Sequence, residues 1–587
     1  MKLKRTFTCG ELTEKQAGKE VVLNGWVSNW RDHGGVIFID LRDRYGTTQI
    51  VFRPELAALQ QQAKKLRSEF VVALRGQVAL RPPEAINPQK KTGKIEVICR
   101  ELEVLNPSET PPFEIKEYID ISEDLGLKYR YLDLRREHLK RNILFRHSLA
   151  QETRRFFNHE GFVEIETPIL TKSTPEGARD YLVPSRLQPG KFYALPQSPQ
   201  TYKQILMIAG FDKYYQIVRC FRDEDLRSDR QPEFTQIDVE MSFVEEEDVL
   251  GTVERFMLRL FKNILNEELS LPLPRLSYAE AMSRYGSDKP DTRFGLELNE
   301  VTHLFFKSEF KIFRSIAENS GYIGALVVPE AAPYSRKQID SLNDYVKAMG
   351  CKGLAHFKIR EGKFEGGISK FLKNEGAEAL KFPWKVESDA LVLLVADENR
   401  EFAQTILGFL RNRLAEELNL TNDAGNALLW VVDFPLLEYN EEEKRYEARH
   451  HPFTAPREED ISLLDAEPEK VRARAYDLVL NGMEIAGGSI RIHTAELQEK
   501  IFRTLQISEE KAREKFGFLL EALRFGAPPH GGIAFGFDRM VMLLSGANSI
   551  REVIAFPKTA RAVGLLENTP SAVSDQQLKE LGINIIK

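Results

Sequence analysis

The 587-residue sequence has no long apolar run, few cysteines and no glycine cradle for phosphates. Its richest apolar stretch, residues 390–396, is far shorter than the ~18 residues a membrane span needs. The start, Met1 to Phe7, is basic but has no apolar segment behind it, so it does not read as a secretory signal. The four cysteines, Cys9, Cys99, Cys220 and Cys351, are far apart and form no C-x-x-C pair, which excludes a zinc ribbon or a thioredoxin-type motif. A disulfide framework is not expected in so long a chain with so few thiols. These absences predict a cytoplasmic protein in a reducing compartment. Neither G-x-x-x-x-G-K-[ST] nor a strand-following G-x-G-x-x-G occurs. Any nucleotide must therefore be held by arginines and carboxylates.

What is present is ordinary globular composition, with 42% hydrophobic and 29% charged residues. The length predicts three to four domains. Lys plus Arg is 82 and Asp plus Glu is 88, a net charge of -6. Alone, that argues against a nucleic-acid partner. Local charge departs from the total, however: residues 86–94 carry Lys90, Lys91 and Lys94, whereas acids gather at Glu245–Asp248 and Glu441–Glu443.

Residues 20–105 read as three strands, a helix over 54–67 and two more strands, the order of an OB-fold or of another small β-barrel. The proline-rich stretch 106–112 is a linker, and 113–138 is a charged hinge. An amphipathic helix is expected from Arg141 to about Asn158, then strands and charged turns to Phe243, then a helix over 245–268. Leu296 to Phe382 reads as an inserted α+β module, and 426–560 as long strands with embedded charges.

Three segments carry chemistry. The loop 221–234, dense in charge, lies between two strands; Arg222 and Glu224 share a face of an extended strand end, which suits an anion and a base or ribose together. The following strand sets Gln236, Asp238 and Glu240 at period two, a polar row on an otherwise apolar segment. In 531–544, a glycine-rich strand enters a helix whose first turn holds Arg539, suited to a phosphate or a base. The third segment, Gly161 to Pro168, follows a helix and reads as a half-buried strand that ends at the proline. Read one by one, each is also compatible with a solvated turn, a helix start or an ordinary strand.

Taken together, they resemble the three signature motifs of class II aminoacyl-tRNA synthetases. An OB-fold ahead of them narrows the likeness to the enzymes for aspartate, asparagine and lysine. Four further strings resemble the bacterial aspartate type: residues 174–185, Leu195-Pro196-Gln197-Ser198-Pro199-Gln200, His450-His451-Pro452-Phe453-Thr454, and Gly487-Gly488-Ser489-Ile490-Arg491-Ile492-His493. The resemblance covers nearly the whole chain.

It implies an α+β multidomain protein. An OB-fold anticodon-binding domain would occupy 1–107 and a hinge 108–140. An antiparallel-sheet catalytic domain would occupy 141–286 and 426–560, interrupted by a GAD-type domain over 287–425, with a C-terminal extension over 561–587. It implies an ATP-dependent ligase that activates L-aspartate, with Mg²⁺, and charges tRNA(Asp). Arg222 would hold the α-phosphate and the substrate carboxylate, with Asp223 beside it; Glu224 would accept from adenine and Gln231 would lie near the nucleotide. Arg539 would contact the γ-phosphate beside Gly536, Phe537 and Asp538. Asp477 and Glu484 would hold Mg²⁺, Glu484 also facing ATP. Arg491 would pair bidentately with the aspartate side chain, Lys203 and His450 adding positive charge or donors. Glu176, Gln200 and Asp238 would orient the ammonium, while His451 would support His450. In the barrel, Arg31, Phe38 and Gln49 match anticodon positions, although Phe38 also alternates with Ile37 and Ile39 as a core residue would. Val51 stands where the family carries an aromatic.

His33 resembles the relaxed type that also charges tRNA(Asn); Glu84, near the second position associated with that choice, matches neither common pattern. The alternatives are a strictly tRNA(Asp)-specific enzyme, a tRNA-binding relative without charging activity, and an enzyme making free asparagine. The last should lack the barrel. The resemblance also implies a homodimer formed through Glu164–Pro168 and its preceding helix, with no membrane partner.

Overall fold

The computed structural model describes residues 1–586 except 118, 175–177, 225–228, 332, 362, 373–388 and 423. It divides into two compact units, Met1–Phe145 with Arg551–Ser571, and Arg146–Ile550 with Ala572–Lys587.

The first unit is built on a closed five-stranded barrel. In barrel order its strands are Glu20–His33, Val36–Arg42, Thr47–Phe52, Ile95–Asn106 and Val71–Leu80. The helix Ala57–Lys64 follows the third strand, and the only parallel pairing joins the third strand to the last, which is the OB order. Alternation sends Ile37, Ile39, Ile50, Phe52, Leu74 and Val97 inward. Phe38 therefore turns outward, half-buried, beside His33 with the ring centres 6.0 Å apart. Val51, opposite it, is buried. The hinge holds two short helices, Glu123–Lys128 and Arg130–Asp133. Buried Arg130 donates to the carbonyls of Arg551, Ile554 and Ala555, which ties residues 551–555 to the hinge.

The second unit contains an eight-stranded sheet in the order Arg275–Ser277, Leu428–Val432, Ala475–Leu480, Met483–Ile490, His530–Gly536, Glu233–Ser242, Lys213–Phe221 and Val163–Glu164. The six central strands are antiparallel and both edge strands pair parallel, so the sheet is mixed rather than purely antiparallel. The helix expected from Arg141 spans Glu137–His159. A helix not expected, Gln200–Ile208, lies where only strands and turns were read. Its buried residues are Gln200, Thr201, Lys203, Gln204 and Met207, mostly polar, so no apolar stripe marks it.

Between strands of this sheet, the chain makes a separate five-stranded sheet, ordered Asn299–Glu300, Tyr322–Pro329, Ala390–Asp397, Ala355–Arg360 and Lys363–Glu365. The apolar run 390–396 is its central strand, covered on both faces by separate apolar clusters. That double burial explains the run's lack of alternation. No helix among the described residues is long and apolar enough to cross a membrane.

Candidate active site

A cavity of about 470 Å³ opens on one face of the eight-stranded sheet. Strand Glu233–Ser242 turns Asp238 and Glu240 to that face, two residues apart. Helix Gln200–Ile208 brings Lys203, and Arg491 directly follows strand Met483–Ile490. All four side chains are buried. Lys203 Nζ lies 2.7 Å from Asp238 Oδ1 and 3.4 Å from Glu240 Oε2. Arg491 Nε and Nη2 donate to the two oxygens of Glu240 at 2.9 and 3.2 Å. Two cations and two anions thus balance. Burial alone pushes both carboxyls up. For Asp238 burial prevails over the attraction of Lys203 and its pKa is raised. For Glu240 burial is outweighed by Arg491 and Lys203, so its pKa is lowered. Burial would lower Arg491, but Glu240 reverses that and raises it.

Arg491 spends every donor it has. A guanidinium carries five N–H groups. Besides the two bonds to Glu240, Nη1 reaches Ser489 Oγ at 2.6 Å and His451 Nε2 at 2.8 Å, and Nη2 reaches the Gly532 carbonyl at 3.3 Å. A bidentate bond to a substrate carboxylate therefore needs an exchange of partners. His451 supplies the weak point. It is half-buried, and desolvation of the ring followed by the charge of Arg491 holds its pKa well below the usual range, so the ring is neutral. A neutral imidazole accepts at one nitrogen only. Yet Nδ1 faces the Phe453 amide at 3.1 Å while Nε2 faces Arg491. One contact sets N–H against N–H. A carboxylate oxygen beside Arg491 relieves that conflict.

Around this floor, four buried polar atoms have no hydrogen-bond partner: Asp238 Oδ2, Gln200 Nε2, Arg222 Nε and His450 Nδ1. All four residues line the cavity. A free acceptor beside free donors suits a ligand carrying both ammonium and carboxylate. Arg222 lies over the Phe234 ring at 5.1 Å, which fixes its plane. His450 packs edge-on against Phe434, and burial followed by the charge of Arg449 lowers its pKa to about 4. At neutral pH it offers a hydrogen-bond donor or acceptor and no charge, a correction to the positive charge considered above.

At the other end of the cavity, Arg539 sits in the first turn of helix Phe537–Ser545, donating to the Glu484 carbonyl at 2.6 Å and pairing with Asp229 at 3.2 Å. Glu224 pairs with Arg230 at 3.1 Å, and Gln231 is buried in the wall. Asp538 is committed elsewhere: it accepts from the Thr235 amide at 2.7 Å and pairs with Arg146. Phe537 lies beneath Arg146, outside the lining. These two brace the helix start, while Gly536, Asp538 and Arg539 all line the cavity. The Asp223 amide bonds the Arg179 carbonyl at 3.0 Å. Glu176 lies outside the described residues.

Asp477 and Glu484 converge over Gly487, where a Cβ would come within 2.8 Å of one carboxylate and 3.4 Å of the other. Burial, then the charges of Glu484 and Asp288, raise the Asp477 pKa well above its ordinary value. Lys289 and Arg449 oppose that rise without cancelling it, and Arg539 stands 4.0 Å from Glu484. Among the described residues no three ligating side chains gather to hold a metal unaided. Two carboxylates suit Mg²⁺ that takes its other ligands from phosphates and water.

Sequence reasoning saw Glu240 in the polar row but gave it no role. Ser489 and Asp229 lay inside the motifs without an assigned role, and Asp288 and Arg449 line the cavity from outside them. In the barrel, Arg31 approaches Gln49 at 3.4 Å, and Gln49 donates to Glu96 at 3.0 Å. Exposed Glu84 sits in the turn Pro83–Ala85.

An OB barrel, together with a mixed, mostly antiparallel sheet whose loop and helix-start arginines flank a polar cavity, defines a class II aminoacyl-tRNA synthetase. Residues 122–560 match the family of tRNA synthetases class II (D, K and N), and 21–105 match the OB-fold nucleic acid binding domain. The chain belongs to the class II tRNA synthetases of the D, K and N group. It is 54% identical over 587 residues, 100% of this chain and 98% of the relative, to an aspartate--tRNA(Asp/Asn) ligase of Desulfatibacillum aliphaticivorans. It is also 54% identical, over 99% of both chains, to an aspartate--tRNA ligase of Staphylococcus carnosus. The fold is shared with asparaginyl-tRNA synthetase of Pyrococcus horikoshii, at TM-score 0.59 and 19% identity over 95% of this chain and 98% of that one.

Proposed function

We propose that the protein is an aspartate--tRNA ligase that charges tRNA(Asp) and also tRNA(Asn). It joins L-aspartate to ATP, releasing pyrophosphate, and passes the aspartyl group from the adenylate to the 3′ end of the tRNA. The observation that carries this reading is the buried Arg491, held by Glu240 and facing a cavity with unpartnered donors and one unpartnered acceptor. A lysine-selecting pocket would need an acid there, and an amide gains little from a guanidinium.

Aspartate enters with its side-chain carboxylate on Arg491, displacing His451 from Nη1. Its ammonium meets Asp238 Oδ2, with Lys203 holding the other oxygen of Asp238. Arg222, braced on Phe234, orients the reacting carboxylate and the α-phosphate for in-line attack, a step that depends on positioning and charge rather than covalent help from the protein. Arg539 takes the far phosphates. Asp477 and Glu484 would hold Mg²⁺, which offsets phosphate charge when bound.

Relaxed tRNA choice is supported by His33, beside outward-facing Phe38 in the barrel. Relatives of about equal identity carry both kinds of name, so identity alone does not separate them. A homodimer is supported by exposed Val163, Ile169 and Leu170 at and beside the sheet edge. Such an enzyme would act in the cytoplasm. The test is ATP–pyrophosphate exchange: aspartate should drive it, with asparagine and lysine at least about 100-fold less efficient, a gap of about 2.7 kcal/mol. No aspartate-dependent exchange would leave only a nucleic-acid-binding role.

A further inference from the structure

The inserted module reaches the active site through side chains of the helix that follows its central strand, and these residues point to a role for it. Helix Arg400–Glu417 follows the module's central strand. From its first turn, Glu401 accepts a 2.5 Å hydrogen bond from the Tyr278 hydroxyl. Tyr278, buried at the start of helix Tyr278–Tyr285, receives a 2.9 Å bond from Arg449 Nη2, and the Arg449 guanidinium lies over its ring at 4.5 Å. Arg449 immediately precedes His450, and both line the cavity. A second contact runs parallel: the Tyr278 ring packs on Phe434, and Phe434 packs on His450.

The Glu401 end is anchored. Buried Arg411, on the same helix, donates to the carbonyls of Asp291, Phe294, Gly295 and Leu296 and stacks on Phe294 at 3.9 Å. These carbonyls belong to the segment that leads from helix Tyr278–Tyr285 into the module. At Gly408 the helix approaches so closely that a Cβ would meet the Gly286 carbonyl at 2.2 Å.

We propose that the inserted module is a positioning element of the amino-acid pocket. Glu401 and Tyr278 hold Arg449, and through it His450, in the geometry that receives aspartate. The Glu401 carboxylate is largely exposed, so its 3.7 Å approach to Arg449 counts for little and the hydrogen bond to Tyr278 carries the link. The inference rests on the aspartate reading above.

The test is ATP–pyrophosphate exchange on the full-length enzyme with Tyr278→Phe, Glu401→Ala, Glu401→Gln and the double variant Tyr278→Phe/Glu401→Ala. The first two should raise the aspartate KM about 5- to 20-fold while the ATP KM and the Tm stay near wild type. Glu401→Gln keeps an acceptor for the hydroxyl and should restore most of the loss. The double variant should match the worse single variant, because both act through one bracket. Aspartate KM within twofold of wild type in both single variants overturns the proposal. So does a matched rise in both KM values with a lowered Tm, the mark of a merely structural role. If wild type itself shows no aspartate-dependent exchange, the functional reading falls and this one with it. Active wild type with indifferent variants removes this one alone.

Discussion

Replacing Arg491 with lysine tests the pocket most sharply. The charge is kept, so the balance among Lys203, Asp238, Glu240 and residue 491 survives. What goes is the planar fork. Lysine has three donors against five and cannot bond Glu240 and a substrate carboxylate in one plane. Each hydrogen bond to a charged group is worth about 1.5–3 kcal/mol. Losing a bidentate pair to the substrate should cost about 3–4 kcal/mol, or roughly 150- to 900-fold in kcat/KM for aspartate. The ATP KM should change little, because Arg491 lies at the floor and Arg539 at the far end of the cavity. Exchange assays over a range of aspartate, ATP and asparagine concentrations read all three quantities. Preference for aspartate over asparagine should shrink with the loss. A fall of less than tenfold in aspartate kcat/KM, in a protein of unchanged Tm, would refute the assignment of Arg491 to the side chain.

Other expectations concern separate parts of the molecule. Phe38→Ala should weaken tRNA binding by about 1–3 kcal/mol, measured by filter binding, with pyrophosphate exchange unaffected. Asp477→Asn should raise the Mg²⁺ concentration for half-maximal exchange roughly tenfold, read from a Mg²⁺ titration. His450 is held at about 4 in the fold against 6.5 for the free ring. Between those values the unfolded chain takes up a proton that the fold refuses, so stability falls as pH drops from 6.5 to 4, by roughly 3 kcal/mol from this residue. Urea unfolding of wild type and His450→Phe across that window should give a steeper decline for wild type.

Much of this architecture could be read from the residues alone. Strand alternation and turn positions give the barrel its order, and the polar row Gln236, Asp238, Glu240 announced one face of a site. The arginines at 222, 491 and 539 were legible because each sits in a motif. Helix Gln200–Ile208 was not, since its buried face is the wall of a polar pocket and hydrophobic periodicity cannot mark it. Nor was the pairing of Glu240 with Arg491, a contact across 251 residues of sequence. The edge strand Arg275–Ser277 is three residues long, too short to carry a pattern, and of the strand read over Gly161 to Pro168 only Val163–Glu164 pairs, both residues exposed. Glu401 stands in no motif, and only the packing of its helix gives it Tyr278 as a partner. The net charge of -6 pointed away from nucleic acid because a chain total says nothing about where cations stand.

Transfer of radiolabelled aspartate to purified tRNA(Asp) and tRNA(Asn) transcripts, in the presence of ATP and Mg²⁺, bears on the central claim most directly. Both should be aspartylated, with efficiencies within about 100-fold of each other. Charging of tRNA(Asp) alone would end the relaxed reading, and aspartate on neither tRNA would contradict the account as a whole.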